Sequence, residues 1–123
     1  MTTKDFFPLK NWVVVGDVLN ESKFAAKIRG KLTENGYQVT GVHPKGGEGI
    51  VTKLAEVAYR IDVIDLCISP VTGLDYLKEA AGLGIDKVLI QPGAGSKEIL
   101  DFCLEKGIHA VEGCALVMLS GAG

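Results

Sequence analysis

The chain has 123 residues, 47% of them hydrophobic and 23% charged, with a formal net charge of −2. That is enough for one domain with its own core, and the mildly acidic balance argues against non-specific nucleic-acid binding. No apolar run is long enough to span a bilayer, and the opening MTTKDFFPLK lacks the apolar centre of a signal peptide. The cytoplasm is therefore the expected setting.

Residues 1–10 read as an N-terminal arm, in which Phe6, Phe7 and Leu9 pack as a short helical turn and Pro8 limits its length. The organising stretch follows at 12–24. Trp12-Val13-Val14-Val15-Gly16 is a strand rich in β-branched residues. Gly16 permits a tight turn, and a polar loop leads into a helix at about 21–35, with Asn20 or Ser22 as its cap. Phe24, Ile28 and Leu32 recur on one face of that helix, with Ala25 beside them. Gly36 closes it in the left-handed conformation. A helix start just after such a turn offers unpaired N–H groups to a phosphate. The loop is neither G-x-G-x-x-G nor a Walker A motif, because Gly16 has no glycine partner two or five residues on and no Gly-Lys-Ser/Thr follows.

Tyr37–His43 is the second strand, and Pro44–Gly49 a loop with three glycines in six residues. Ile50-Val51 forms a very short edge strand and Thr52–Ala58 a short helix. Val63–Ile68 is apolar nearly throughout, as a central strand must be. Ser69–Gly73 is a loop, 73–83 a helix with Leu74, Leu77 and Ala81 on one face, and Lys87–Ile90 the fourth principal strand. Gln91–Gly95 is the next loop. Ser96 caps a helix at 97–106, Ile108–Val111 is the fifth principal strand, and Ala115–Ser120 is a terminal helix before 121–123 fray. Glycine closes three helices, at Gly36, Gly84 and Gly107, each followed by a short strand. This punctuation belongs to stacked β–loop–α units. It predicts an α/β domain with a doubly wound, mainly parallel, Rossmann-like sheet of about five principal strands and helices on both faces.

In such a sheet a ligand binds at the carboxyl ends of the strands, where the strand order reverses. Four loops meet there: Gly16–Ser22, Pro44–Gly49, Ser69–Gly73 and Gln91–Ser96. A nicotinamide dinucleotide site usually has a carboxylate after the second strand to hold the ribose diol. This chain has His43-Pro44-Lys45, whose cation favours a phosphorylated ribose, as in NADP or coenzyme A. Asp17 either bonds a ligand or caps the turn. His109 reads as structural, and Asp65 as a buried group bonded to the backbone. No acid–base pair, placed nucleophile or metal-ligand cluster is evident. The spacing of Cys67, Cys103 and Cys114 fits no metal motif, and the odd number suggests free thiols. Cys67 and Cys103 read as core, whereas Cys114 is either a buried small residue or, at the start of the last helix, a thiol with a role.

The order and spacing of these segments resemble the small, single-domain CoA-binding proteins, whose domain is similar to the N-terminal CoA-binding domain of the succinyl-CoA synthetase alpha subunit. The resemblance runs from about Trp12 to Leu119. It is carried by Trp12–Gly16 with Asn20–Phe24, by Gly41-Val42-His43-Pro44-Lys45, by Thr52–Val57, by Val63–Leu66 with Ser69-Pro70, and by Ile90-Gln91-Pro92-Gly93. It implies binding of CoA or another adenine nucleotide (AMP or ADP among them). Gly16, Asp17, Val18 and Phe24 would line the phosphate and pantetheine region, with Asn20 in the same loop. Pro44 and Lys45 would meet the adenosine side, with His43 at the sheet edge. Pro70, Val71 and Thr72 would flank the adenine or diphosphate, and Gln91, Pro92 and Gly93 the distal end. The chain departs from the family where Asp17 replaces a residue that is often small. The phosphohistidine domain of the synthetase has no counterpart here.

The expected function is a stand-alone nucleotide-binding module without chemistry of its own. The alternatives are a small NAD(P)- or CoA-dependent enzyme using Cys114 or His43, or an interaction subunit with a vestigial pocket. In the last case Phe6, Phe7, Leu9 and Ala115–Leu119 would form a homodimer contact.

Overall fold

A computed structural model of the chain describes residues 2–119. Six parallel strands form one sheet: β1 (Asn11–Gly16), β2 (Gln38–Val42), β3 (Ile50–Val51), β4 (Val63–Cys67), β5 (Lys87–Ile90) and β6 (His109–Glu112), in the order β3-β2-β1-β4-β5-β6. The helices are α1 (Thr3–Phe6), α2 (Phe24–Glu34), α3 (Pro70–Leu83), α4 (Lys97–Lys106) and α5 (Ala115–Val117), with a single 3₁₀ turn at Leu54–Glu56 in place of the helix expected at 52–58. Ser120, the expected end of the last helix, and 121–123 lie outside the described residues. Winding runs outward from β1 on one side and from β4 on the other, so the strand order reverses between those two strands.

The central strands are apolar on both sides because each side carries helices. Val13, Val15, Ile64, Leu66, Val88 and Ile90 meet Tyr76, Leu77 and Ala80 of α3 and Ile99 and Cys103 of α4. Trp12, Val14, Val63 and Leu89 meet Ala25, Ile28 and Leu32 of α2, together with Phe6 and Ala115. The arm is part of this second layer. Phe6 is fully buried, Phe7 stacks on Trp12 at 6.2 Å, and Trp12 Nε1 donates to the Leu9 carbonyl at 2.7 Å. Tyr37 meets Trp12 edge-on and donates its hydroxyl to the Phe7 carbonyl at 2.7 Å. Phe6 and Ala115 thus cover their own core, with Phe7, Leu9, Leu116 and Leu119 packed partly buried around them.

The helix ends follow the glycine pattern. Gly84 and Gly107 close α3 and α4 at φ 77° and 71°, and Gly36 follows α2 at φ 83°. The starts differ more from expectation. α3 begins at Pro70, not at 73, because the fixed φ and missing N–H of proline suit the first helical position. Neither Asn20 nor Ser22 caps α2. Its cap position is Lys23, which makes no side-chain capping bond, while Asn20 Oδ1 accepts from the backbone N–H and Oγ of Ser22 at 3.1 and 2.6 Å. That local turn holds the polar loop but lies too early to reach the helix. Ser96 does cap α4, accepting from the Ile99 N–H at 3.1 Å.

Candidate functional site

The carboxyl ends of β1 and β4 form the reversal point, and the register sets Gly16 beside Cys67. A Cβ on residue 16 would lie 2.5 Å from the Cys67 carbonyl oxygen and 2.9 Å from the Ala25 Cβ. Only glycine lets β1 end that close to both β4 and α2. Gly41 and Gly47 act in the same way on the other side. Cβ atoms there would strike Val18 and Leu19, so their absence lets the first loop lie down on the end of β2 and the loop after it.

One cavity of about 240 Å³ opens between these loops, lined by Gly16, Asp17, Val18, Leu19, His43, Lys45, Gly46 and Ile50. His43 is held by β3 and by its own turn: its backbone N–H donates to the Val51 carbonyl of β3 at 3.0 Å, and its Nδ1 accepts from the Lys45 N–H at 3.2 Å. That bond assigns the proton to Nε2, leaving an N–H donor on the imidazole. The cavity therefore gathers one carboxylate, one ammonium and one imidazole donor. The loop that continues from this cavity leads into α2, whose cap residue Lys23 makes no side-chain bond to the first-turn N–H groups.

A second, smaller cavity of about 110 Å³ lies beyond the reversal point, lined by Phe24, Cys67, Gln91, Pro92 and Cys114. Beneath it is Asp65, fully buried in mid-β4. Its bond partner is not the backbone, as expected from the sequence, but Gln91, whose Nε2 donates to Oδ1 at 2.5 Å. Oδ2 has no hydrogen-bond partner among the described residues. Burial pushes the Asp65 carboxyl up to about 7, with the Gln91 bond opposing.

The expected residues thus divide. Gly16, Asp17, Val18, His43 and Lys45 share the first cavity, and Phe24, Gln91 and Pro92 the second. Pro70, Val71 and Thr72 are not loop residues but the first turn of α3, and Val71 is 81% exposed. Asn20, Pro44, Pro70, Val71, Thr72 and Gly93 line neither cavity. Phe24 is not on the buried face of α2. As the first helical residue it projects past the sheet and is 64% exposed, with Lys27 Nζ 5.7 Å from its ring. Cys67 is half-buried on the second cavity and not a plain core residue. Leu19, Gly46 and Ile50 were not singled out in the sequence but also line the first cavity. Leu19 and Gly46 lie within the two loops expected at the binding edge, whereas Ile50, expected as an edge strand, carried no such signal.

Among the described residues no group of three or more His, Cys, Asp or Glu side chains gathers as a metal site would require. No described helix is long and apolar enough to cross a membrane.

The family model for the CoA binding domain matches residues 10–120. The chain belongs to the CoA-binding domain family. No protein in the curated set matches it. Among solved structures, a conserved hypothetical protein from Pyrococcus furiosus is 31% identical, with a TM-score of 0.82 over 89% of this chain and 99% of that one. A hypothetical protein from Pyrococcus horikoshii shares the fold at a TM-score of 0.85 and 23% identity, over 96% of this chain and 89% of that one. The family fold also occurs inside a larger enzyme. A dinucleotide-forming acetyl-coenzyme A synthetase of Ca. Korarchaeum cryptofilum, solved with phosphate and ADP, aligns at a TM-score of 0.65 and 16% identity. The alignment covers 88% of this chain and 27% of the synthetase.

Proposed function

We propose that this chain binds coenzyme A across the reversal point of its sheet, as a module that recognises the ligand and does not turn it over. CoA joins a phosphorylated adenosine to a diphosphate and a long, weakly polar pantetheine arm. The observation that carries the reading is the pairing of a polar cavity with an apolar rim. His43 and Lys45 stand where a nicotinamide-dinucleotide site would have a carboxylate, which suits a ribose bearing a phosphate. The uncapped start of α2 suits the diphosphate. Leu19, Phe24 and Val71, at 54, 64 and 81% exposure, are large apolar side chains left open on the first loop and the starts of α2 and α3, where a pantetheine arm would cover them.

The donor set fits the ligand apart from Asp17, whose carboxylate opposes an anion in the same cavity. The non-catalytic part of the proposal rests on the chemistry within the first cavity. Asp17, His43 and Lys45 include no nucleophile positioned by a base.

Thermal unfolding with CoA, NADP, NAD, AMP and ADP tests the reading. CoA at a hundred times its dissociation constant should stabilise the fold by about 2.7 kcal/mol, with smaller gains from the other ligands at equal concentration. A larger gain from NADP than from CoA would overturn the ligand assignment.

A further inference from the structure

Cys67 ends β4, and Cys114 follows β6 where the chain turns back over the sheet towards α5. Though far apart in sequence, both thiols open on the cavity they share with Phe24, Gln91 and Pro92, and both are half-buried. Cys103, by contrast, is buried on the inner face of α4, in the core on the opposite side of the sheet. The binding proposal makes no use of this thiol pair, of the Asp65–Gln91 contact or of Asp65 Oδ2, which has no partner among the described residues.

We propose that Cys67 and Cys114 form a redox pair that exchanges with the disulfide of a small ligand entering this cavity and closes into a Cys67–Cys114 disulfide. Cys114 attacks first. Its sulfur bonds to one sulfur of the ligand disulfide, the S–S bond breaks, and the other half leaves as a thiol carrying a proton. Cys67 then attacks the Cys114 sulfur of the mixed disulfide, its proton passes to solvent, and the second ligand half leaves as a thiolate that is protonated in turn. The ligand disulfide gains two electrons, and the two cysteines lose two.

The division of labour follows from the surroundings. Burial, the neighbouring Asp65 and Cys114 push the Cys67 thiol up to about 11, which makes it a poor first nucleophile. Joining the two sulfurs removes both ionisable thiols from the apolar cavity, whereas a thiolate formed beside Asp65 is penalised. Gln91, which lines the same cavity, is itself tied to Asp65 by its side-chain amide. The exchange is stoichiometric and reversible by a dithiol, as suits a module that reports the redox state of a ligand. It does not depend on CoA binding, since a disulfide of another small thiol is also a substrate.

The test uses the full chain, reduced and then incubated with oxidised glutathione or CoA disulfide. Remaining thiols are alkylated and non-reduced peptides are mapped by mass spectrometry. With either oxidant the expected product joins the Cys67 and Cys114 peptides and leaves Cys103 unreacted until the protein is unfolded. Cys67→Ser should accumulate the mixed disulfide on Cys114, and Cys114→Ser should slow loss of the Cys67 thiol by at least about tenfold. Folded wild-type protein that keeps both thiols free, or that holds separate mixed disulfides without a crosslink, overturns the proposal. Crosslinking in a protein that fails to bind CoA sustains the redox pair and sinks only the ligand assignment. CoA binding without a crosslink does the reverse.

Discussion

Asp17, His43 and Lys45 share one cavity, and the sign of its potential depends on their balance. Removing the carboxylate with Asp17→Ala should tighten binding of CoA, and Lys45→Ala should weaken it, each by about tenfold, or ~1.4 kcal/mol. Calorimetry at two salt concentrations checks this, since charge effects at an open cavity shrink as salt rises. Asp65 has a different consequence. Its carboxyl is raised from 3.8 to about 7 by burial, so the folded state holds the proton more tightly than the unfolded state does. The contribution of Asp65 to stability is therefore fully present below about pH 4, is lost as pH rises through the window from about 4 to 7, and then levels off, with a span of order 4 kcal/mol. Asp65→Asn keeps an acceptor for Gln91 and removes the ionisation. Its melting temperature should exceed that of wild type at pH 8 and approach it near pH 4. A variant less stable than wild type at pH 8 would refute the assignment. Asp17 is legible in the sequence because it directly follows the glycine that ends the first strand. The Asp65–Gln91 contact was not, because it joins residues 26 apart across two strands and needs the register that sets Asp65 beside Leu89, two residues before Gln91.

The elements obey rules that a sequence states locally. Glycine after each of α2, α3 and α4, and serine before α4, correctly marked those ends, because a left-handed closure and a capping oxygen are properties of a few adjacent residues. The starts of α2 and α3 were harder. Asn20 was used up by its own turn, and Pro70, read as a loop residue, begins the helix. Phe24 has the helical spacing of Ile28 and Leu32, but periodicity gives a direction and not the extent of the sheet, and the sheet ends before it. Two substitutions separate these levels. Ser96→Ala removes one capping bond and should cost about 1 kcal/mol in urea unfolding while leaving the ligand site intact. Gly16→Ala brings a methyl group to 2.5 Å from a backbone carbonyl that cannot retreat without parting β1 from β4. It should cost about 3 kcal/mol and also impair ligand binding. A Gly16→Ala protein as stable as wild type would show that the strand ends can separate freely.

At the scale of the molecule, alternation of strands and helices was sufficient to predict a doubly wound parallel sheet. The strand order β3-β2-β1-β4-β5-β6 then puts the reversal between β1 and β4. The two-residue β3 is the short edge strand expected beside five principal ones. What the sequence could not supply is the division of the carboxyl edge into two cavities, because that depends on how far each loop leans. Gly41 and Gly47 let the first loop close on β2, whereas Cys67 and Cys114 meet one cavity only through the turn after β6. The family fold explains the edge, and the residues at it carry the proposed specificity. Calorimetric titration of CoA into the full chain, run beside Lys45→Ala, tests this most directly. Saturable one-to-one binding that weakens in the variant is the predicted result. No binding heat at millimolar CoA, together with an unchanged melting temperature, would contradict it.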